Sequence, residues 1–172
     1  IRRQRQMCIR DSPRIVVTGD RSLAGEYLDR IIYRDILPRA NISHPDAMRT
    51  MALFLLSNVG KEFSYRSLKT ITGIRHESTL REYVSLLRDG YLLDILNRYS
   101  PSLKTQAAYS KKAYAADLSF ITLGKRTGGD LGRILENAVY LHLKNRWDIH
   151  YLKNSGEVDF LLCRELRPVR MI

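Results

Sequence analysis

Cysteine is nearly absent. Cys8 and Cys163 are the only two in 172 residues, far apart and outside any CxxC or Cys/His spacing. That excludes a disulfide framework and a cysteine-based zinc site, and suits a reducing compartment such as the cytoplasm. Long apolar runs are missing too. The longest, Met51 to Leu56, falls far short of the roughly 20 residues a membrane-crossing helix needs. No membrane partner is expected, and no secretory signal, because no apolar stretch follows the basic first residues. Acidic residues are scarce: 18 Asp and Glu stand against 29 Lys and Arg, a formal net charge of +11. Such a balance favours polyanionic partners. The 44% apolar fraction is that of a folded chain rather than a disordered one.

The chain is expected to be incomplete at both ends. It opens on Ile1, and residues 1–12 (IRRQRQMCIRDS) have no apolar period. This leader reads either as a non-native or disordered segment or as a basic nucleic-acid-binding arm. The chain stops at Met171-Ile172 on a pattern that reads as mid-strand. A P-loop is also missing: near Gly124-Lys125-Arg126, Arg stands where Ser or Thr must follow the Lys, and Ser119 where the first Gly belongs.

Between these ends the apolar spacing predicts an α+β chain. Leu23, Leu28, Ile31, Ile32 and Ile36 fall at helical intervals, predicting a helix over 22–37 that Pro38 stops. Pro45 opens a second helix, with Met48, Met51, Ala52, Leu55 and Leu56 as its buried stripe and Gly60 beyond its end. Two short helices follow across a tight turn. Ser64 caps the first and Gly73 ends it; Leu80, Tyr83, Val84 and Leu87 form the inward face of the second. The runs 91–99 and 111–120 are β-like, around a polar loop. Three helices followed by a two-stranded ribbon is the order of a winged helix-turn-helix. After a hinge at Gly128-Gly129, a helix from Asp130 to about Arg146 precedes strands at 149–153, 157–163 and 169–172, the first two joined by an Asn154-Ser155-Gly156 turn.

Two sets of residues carry candidate chemistry. In a helix-turn-helix the second helix offers its outer face to the major groove, here with Arg75, His76, Ser78, Thr79 and Arg81. Arginines reach bases or phosphates, and hydroxyls at a helix start hold phosphate. Lys111 and Lys112 lie where a wing would touch the DNA backbone. The alternative is that these charges are solvated on a domain used for protein packing. The second set is Glu136, mid-helix among apolar neighbours, and Asp159 in an apolar strand, where a carboxylate is costly unless paired or metal-bound. A helix Glu followed by a hairpin Asp is part of a PD-(D/E)XK nuclease layout, in which the acids hold Mg²⁺ and act catalytically. The alternative is a structural pair bonding each other or backbone amides.

The stretches EYLDRIIYRDILPRANISHPD (residues 26–46) and LLSNVGKEFSYRSLKTITGI (residues 55–74) resemble one family, as do KKAYAADLSF, GRILENAVYLHL and YLKNSGEVDFLL further on. It is the C-terminal part of prokaryotic AAA-type ATPases that carry the domain of unknown function 4143. The resemblance implies an upstream ATPase binding ATP and Mg²⁺, a winged helix, and a restriction-nuclease-like domain truncated at its C-terminus. On that basis residues 13–43 would trail the ATPase module, 44–127 form the winged helix and 128–172 the nuclease-like domain. The implied function is recognition of double-stranded DNA or a protein partner, without a nucleotide site in this chain. The alternatives are a metal-dependent phosphodiesterase using Glu136 and Asp159, and a structural clamp that self-associates.

Overall fold

A computed structural model describes residues 22–124, 130–153, 156–165 and 167–172. The 1–12 leader, the Gly128-Gly129 hinge, Lys125-Arg126 and the Asn154-Ser155 part of the expected turn lie outside the described residues.

Helix α1 (Ser22–Arg30) buries Ala24 and Leu28. It widens into a π-helical turn over Ile31–Ile36, where Ile32 and Ile36 continue the buried stripe. A 3₁₀ turn at Leu37–Arg39 ends it, since Pro38 has no N–H with which to continue. Helix α2 (Pro45–Ser57) starts on its proline and buries Met48, Met51, Ala52, Leu55 and Leu56. Asp29 holds α1 to α2: Arg49 donates to both of its carboxylate oxygens, at 2.6 and 3.3 Å.

Strand β1 (Glu62–Phe63) is two residues long and has no sequence signature. Helix α3 (Tyr65–Thr72) is closed by a reciprocal cap, Ser67 N to Ser64 Oγ and Ser64 N to Ser67 Oγ, both 3.1 Å. Gly73 ends it at φ 73°, a left-handed conformation that glycine adopts without cost. Helix α4 (Glu77–Asp89) buries Leu80, Tyr83, Val84 and Leu87, the inward set the spacing predicts.

Strand β2 (Leu93–Arg98) leads into a segment expected to be a polar loop, where Ser102 instead caps a short helix, α5 (Leu103–Ala108). Strand β3 (Lys111–Ala115) is half the length of the β-like run: Asp117 accepts from Ser119 N at 2.8 Å and turns the chain into a 3₁₀ helix over Leu118–Leu123. Helix α6 (Asp130–Leu143), β4 (Asp148–Lys153), β5 (Glu157–Arg164) and β6 (Arg167–Met171) complete the chain.

The fold is mixed α+β, with six strands in one sheet ordered β1-β3-β2-β4-β5-β6. All pairings are antiparallel except β2 with β4, which meet in parallel over Asn97↔His150 and Arg98↔Tyr151. One core runs from Leu28 and Met51 through Leu80 and Leu96 to Tyr140 and Phe160, so the regions before and after residue 128 share it. Tyr114 stacks on Tyr140 with ring centres 4.3 Å apart, and Phe160 lies 5.8 Å from Tyr114. The free edge of β3 beyond the short β1 is satisfied by other groups. Gly60 N donates to Ala113 O at 3.0 Å, and the Asn137 amide bonds both Ala115 N (2.8 Å) and Ala115 O (3.0 Å). Among the described residues no helix is long and apolar enough to cross a membrane.

Candidate functional site

The α3–α4 turn is built by Gly73, whose left-handed backbone reverses the chain, and by Ile74, which is buried and anchors it. Because four side chains of α4 face the core, the opposite face is left to solvent. Ser78 and Arg81 are exposed there and Thr79 is partly so, while Arg75 and His76 are exposed in the turn that leads into the helix. The starts of α2 and α4 open into one cleft of about 740 Å³, lined by His44, Asp46, Arg75, His76 and Thr79 among others. Neither helix start is capped by a side chain. Arg81 is partly committed. Its Nη2 lies 2.6 Å from Glu77 Oε1, and its guanidinium sits 4.2 Å over the Tyr65 ring.

Lys111 and Lys112, expected on a wing facing DNA, are buried within β3. Lys111 donates to Ala107 O and Tyr109 O, at 3.1 and 3.0 Å. Burial first, and then the positive charge of Arg81, push its ammonium below the usual lysine range. Neither amine is offered to a phosphate. The strand begins at Lys111 as expected, and it is the covering of its faces, not its position, that takes both amines out of reach.

Glu136 and Asp159 do come together, and what joins them is Lys112. Its ammonium donates to Asp159 Oδ1 at 2.8 Å and lies 2.8 Å from Glu157 Oε1 and 3.9 Å from Glu136 Oε1. The Lys112 side chain is only 4% exposed, whereas those of Glu157 and Asp159 are about half exposed (45% and 51%). Burial pulls the Lys112 pKa down, but the bonds to Asp159 and Glu157 outweigh it and hold the amine above its ordinary value. Tyr114 donates to Glu136 Oε1 at 2.6 Å; burial and then this bond push its phenol far up, so it remains a donor.

This donor set does not fit a divalent cation. The ammonium occupies the space between the carboxylates, and among the described residues no three His, Cys, Asp or Glu side chains are grouped to hold a metal. Two of the residues that build the centre, Lys112 and Tyr114, carry no signal in the sequence beyond their alternation on one strand. His150 carries none either. It is buried, accepts at Nδ1 from Gln106 Nε2 (3.0 Å), and so presents Nε2–H to Asp148 at 3.3 Å.

Gly60 makes room for this centre. It has φ 76°, and a Cβ there would stand 2.8 and 2.9 Å from the two Glu136 carboxylate oxygens. Gly60→Ala is expected to cost about 1–3 kcal/mol, from backbone strain plus displacement of Glu136 from Tyr114. A urea midpoint shift at unchanged slope checks it; an unchanged midpoint would refute it.

Residues 15–126, more than half of the chain, match the model of a domain of unknown function, DUF8612. The chain belongs to that family. This DUF8612 chain is 30% identical over 167 residues to an uncharacterized protein of Methanocaldococcus jannaschii, covering 89% of this chain and 37% of that one. It is 28% identical over 142 residues to an uncharacterized protein of Haemophilus influenzae, covering 77% of this chain and 35% of that one. The chain thus spans little more than a third of the length of these curated relatives. No solved structure matches it.

The family match overturns the resemblance to AAA-type ATPases carrying the domain of unknown function 4143. The upstream ATPase, and the assignment of 13–43 to it, lose their basis. The physical reason lies in what the resembling motifs do here. In the 26–46 stretch, Tyr33 donates to Asp46 at 3.3 Å and Asp29 binds Arg49, so the shared residues pack α1 on α2.

Proposed function

We propose that this DUF8612 chain is a duplex nucleic-acid recognition unit. In this reading α2, α3 and α4 with the antiparallel β1-β3-β2 sheet form a winged helix-turn-helix, and α4 enters the major groove. The observation that carries it is the two-sided character of α4. Leu80, Tyr83, Val84 and Leu87 lock one face to the core, while Ser78 and Arg81 stand exposed on the other and Arg75 and His76 in the turn just before it, beside an open cleft. Arg75 and Arg81 contact phosphates or base edges, and Ser78 and the uncapped start of α4 accept a backbone phosphate. The chain's net charge of +11 supports the same partner through long-range attraction. The expected wing lysines play no part, so binding rests on the helix.

The test is fluorescence anisotropy with a labelled duplex across a salt series. Arg75→Gln/Arg81→Gln is expected to weaken binding and to flatten the log–log salt slope by about one to two units, close to one for each phosphate no longer engaged. An unaltered slope, or no binding by the wild type at low salt, sinks the proposal. If sedimentation then shows self-association without duplex affinity, the clamp reading takes its place. A specific observation supports that reading: Leu131, Leu135 and Val139 are exposed at successive turns of α6.

A further inference from the structure

Strand β5 carries opposite charges at its two ends. Glu157 and Asp159 sit at the end held by Lys112, and Arg164 stands at the other, about 23 Å away at the usual strand rise. The register of β6 then adds to the positive end. Arg167 lies directly opposite Arg164, and Arg170 lies opposite Leu162. Leu162 and Arg164 are two residues apart on β5 and share a face, and the register shift of β6 between Leu162 and Cys163 sets Arg167 and Arg170, three residues apart, both opposite that face. All three are exposed. Among the described residues no carboxylate pairs with any of them.

Like charges placed directly opposite across an antiparallel pair destabilise a sheet, because their Cβ atoms are only about 5 Å apart. This arrangement is nevertheless held in position. The Arg164 guanidinium lies 5.5 Å over the Trp147 ring, which is packed against the core at the α6–β4 turn, next to the exposed Arg146. The ring fixes the fork of Arg164 without neutralising it. Repulsion that no carboxylate among the described residues offsets is relieved by a polyanion.

We propose that the β5–β6 hairpin face is a second nucleic-acid contact, in which Arg164, Arg167 and Arg170 bind successive backbone phosphates. Guanidinium forks match phosphate oxygens two to two, which lysines would not. Their face also carries Leu162, which is buried, and Ile172, which pairs with Phe160 and is half exposed. Met171 pairs with Leu161 and so points to the opposite side of the sheet. Three guanidiniums stand against one exposed apolar side chain on that face, which suits a polyanionic backbone better than a lipid interface, where an apolar face must accompany the basic one. The proposal stands on its own geometry and does not depend on α4.

Duplex binding by the whole chain is measured across a salt series for the wild type, Arg164→Gln/Arg167→Gln/Arg170→Gln, and Arg75→Gln/Arg81→Gln. The hairpin triple is expected to lose about two to three units of salt slope, close to one per phosphate released. Removing opposed charges should leave its melting temperature at or above that of the wild type. If the triple fails to fold, Arg170→Gln, which has no like charge facing it, should lose about one unit. A wild-type slope in the hairpin variants overturns this proposal while leaving the α4 reading standing if the α4 pair is weakened. A loss confined to the α4 pair, or a hairpin effect on binding to anionic phospholipid vesicles but not to duplex, also overturns it.

Discussion

Lys112→Met is expected to lower stability at neutral pH by about 2–4 kcal/mol. The methionine matches the lysine stem in volume, so the loss is electrostatic. It leaves Glu136, Glu157 and Asp159 facing one another with no cation among them. Removing one partner of a buried ion pair typically costs about 3–5 kcal/mol, and the lower range applies because Glu157 and Asp159 are half exposed and can hydrate. The pH dependence has a definite sign. The Lys112 pKa is raised in the folded protein, so its contribution is fully present below the unfolded value near 10.4 and is lost as pH rises through the higher folded value. At neutral pH the wild type is thus insensitive to this group. The variant should regain stability as pH falls through the carboxylate range, because protonation relieves the repulsion. Urea melts at several pH values test this; equal stability at pH 7 with no recovery in acid would show that the Lys112 centre contributes nothing.

Asn137→Leu is expected to cost about 2–4 kcal/mol although it makes the residue more apolar. Asn137 is fully buried, and its amide stands in for a missing strand by satisfying both Ala115 N–H and Ala115 C=O. A leucine leaves both buried, at about 1–3 kcal/mol for each orphaned group, with part of this offset by the apolar gain. Asn137→Asp separates hydrogen bonding from packing. An ionised aspartate still accepts from the N–H but sets a negative oxygen against the Ala115 carbonyl; protonated, it can donate there. Its folded-state pKa is therefore raised, and Asn137→Asp should be most stable in acid and lose stability as pH rises through that value. A variant as stable as the wild type at every pH would refute the bridging role.

Local structure is legible in the sequence wherever local rules decide it. Ser64, Gly73 and Pro45 announce helix ends through backbone chemistry that needs no neighbours, and Leu80, Tyr83, Val84 and Leu87 recur at a helical period whatever they pack on. The elements that leave no such mark depend on partners distant in sequence. A two-residue β1 has no period to read, and it is a strand only because Lys111 and Lys112 lie beside it. The α5 helix sits in a run rich in polar residues and leans on the sheet through Gln106 and His150. The candidate site divides in the same way. That Glu136 and Asp159 need a partner follows from the apolar company each keeps. That the partner is Lys112 does not, because strand alternation says which residues share a face and nothing of which chain segment crosses it. The outward placement expected of Lys111 and Lys112 fails for the same reason: a lysine in a β-ribbon reads as solvent-facing until the elements that cover it are known.

Strand β3 is bonded to β2 along one edge and to β1, Gly60 and Asn137 along the other, with Lys112 and Tyr114 tied to α6 and β5. Its amides are therefore the ones water reaches last. The helical part and the hairpin part meet at these five residues, through the backbone of β3 on one side and the side chains of Lys112 and Tyr114 on the other. The amides of β3 are therefore expected to be the slowest to exchange with deuterium among the described residues, and faster exchange there than in α1 would refute this.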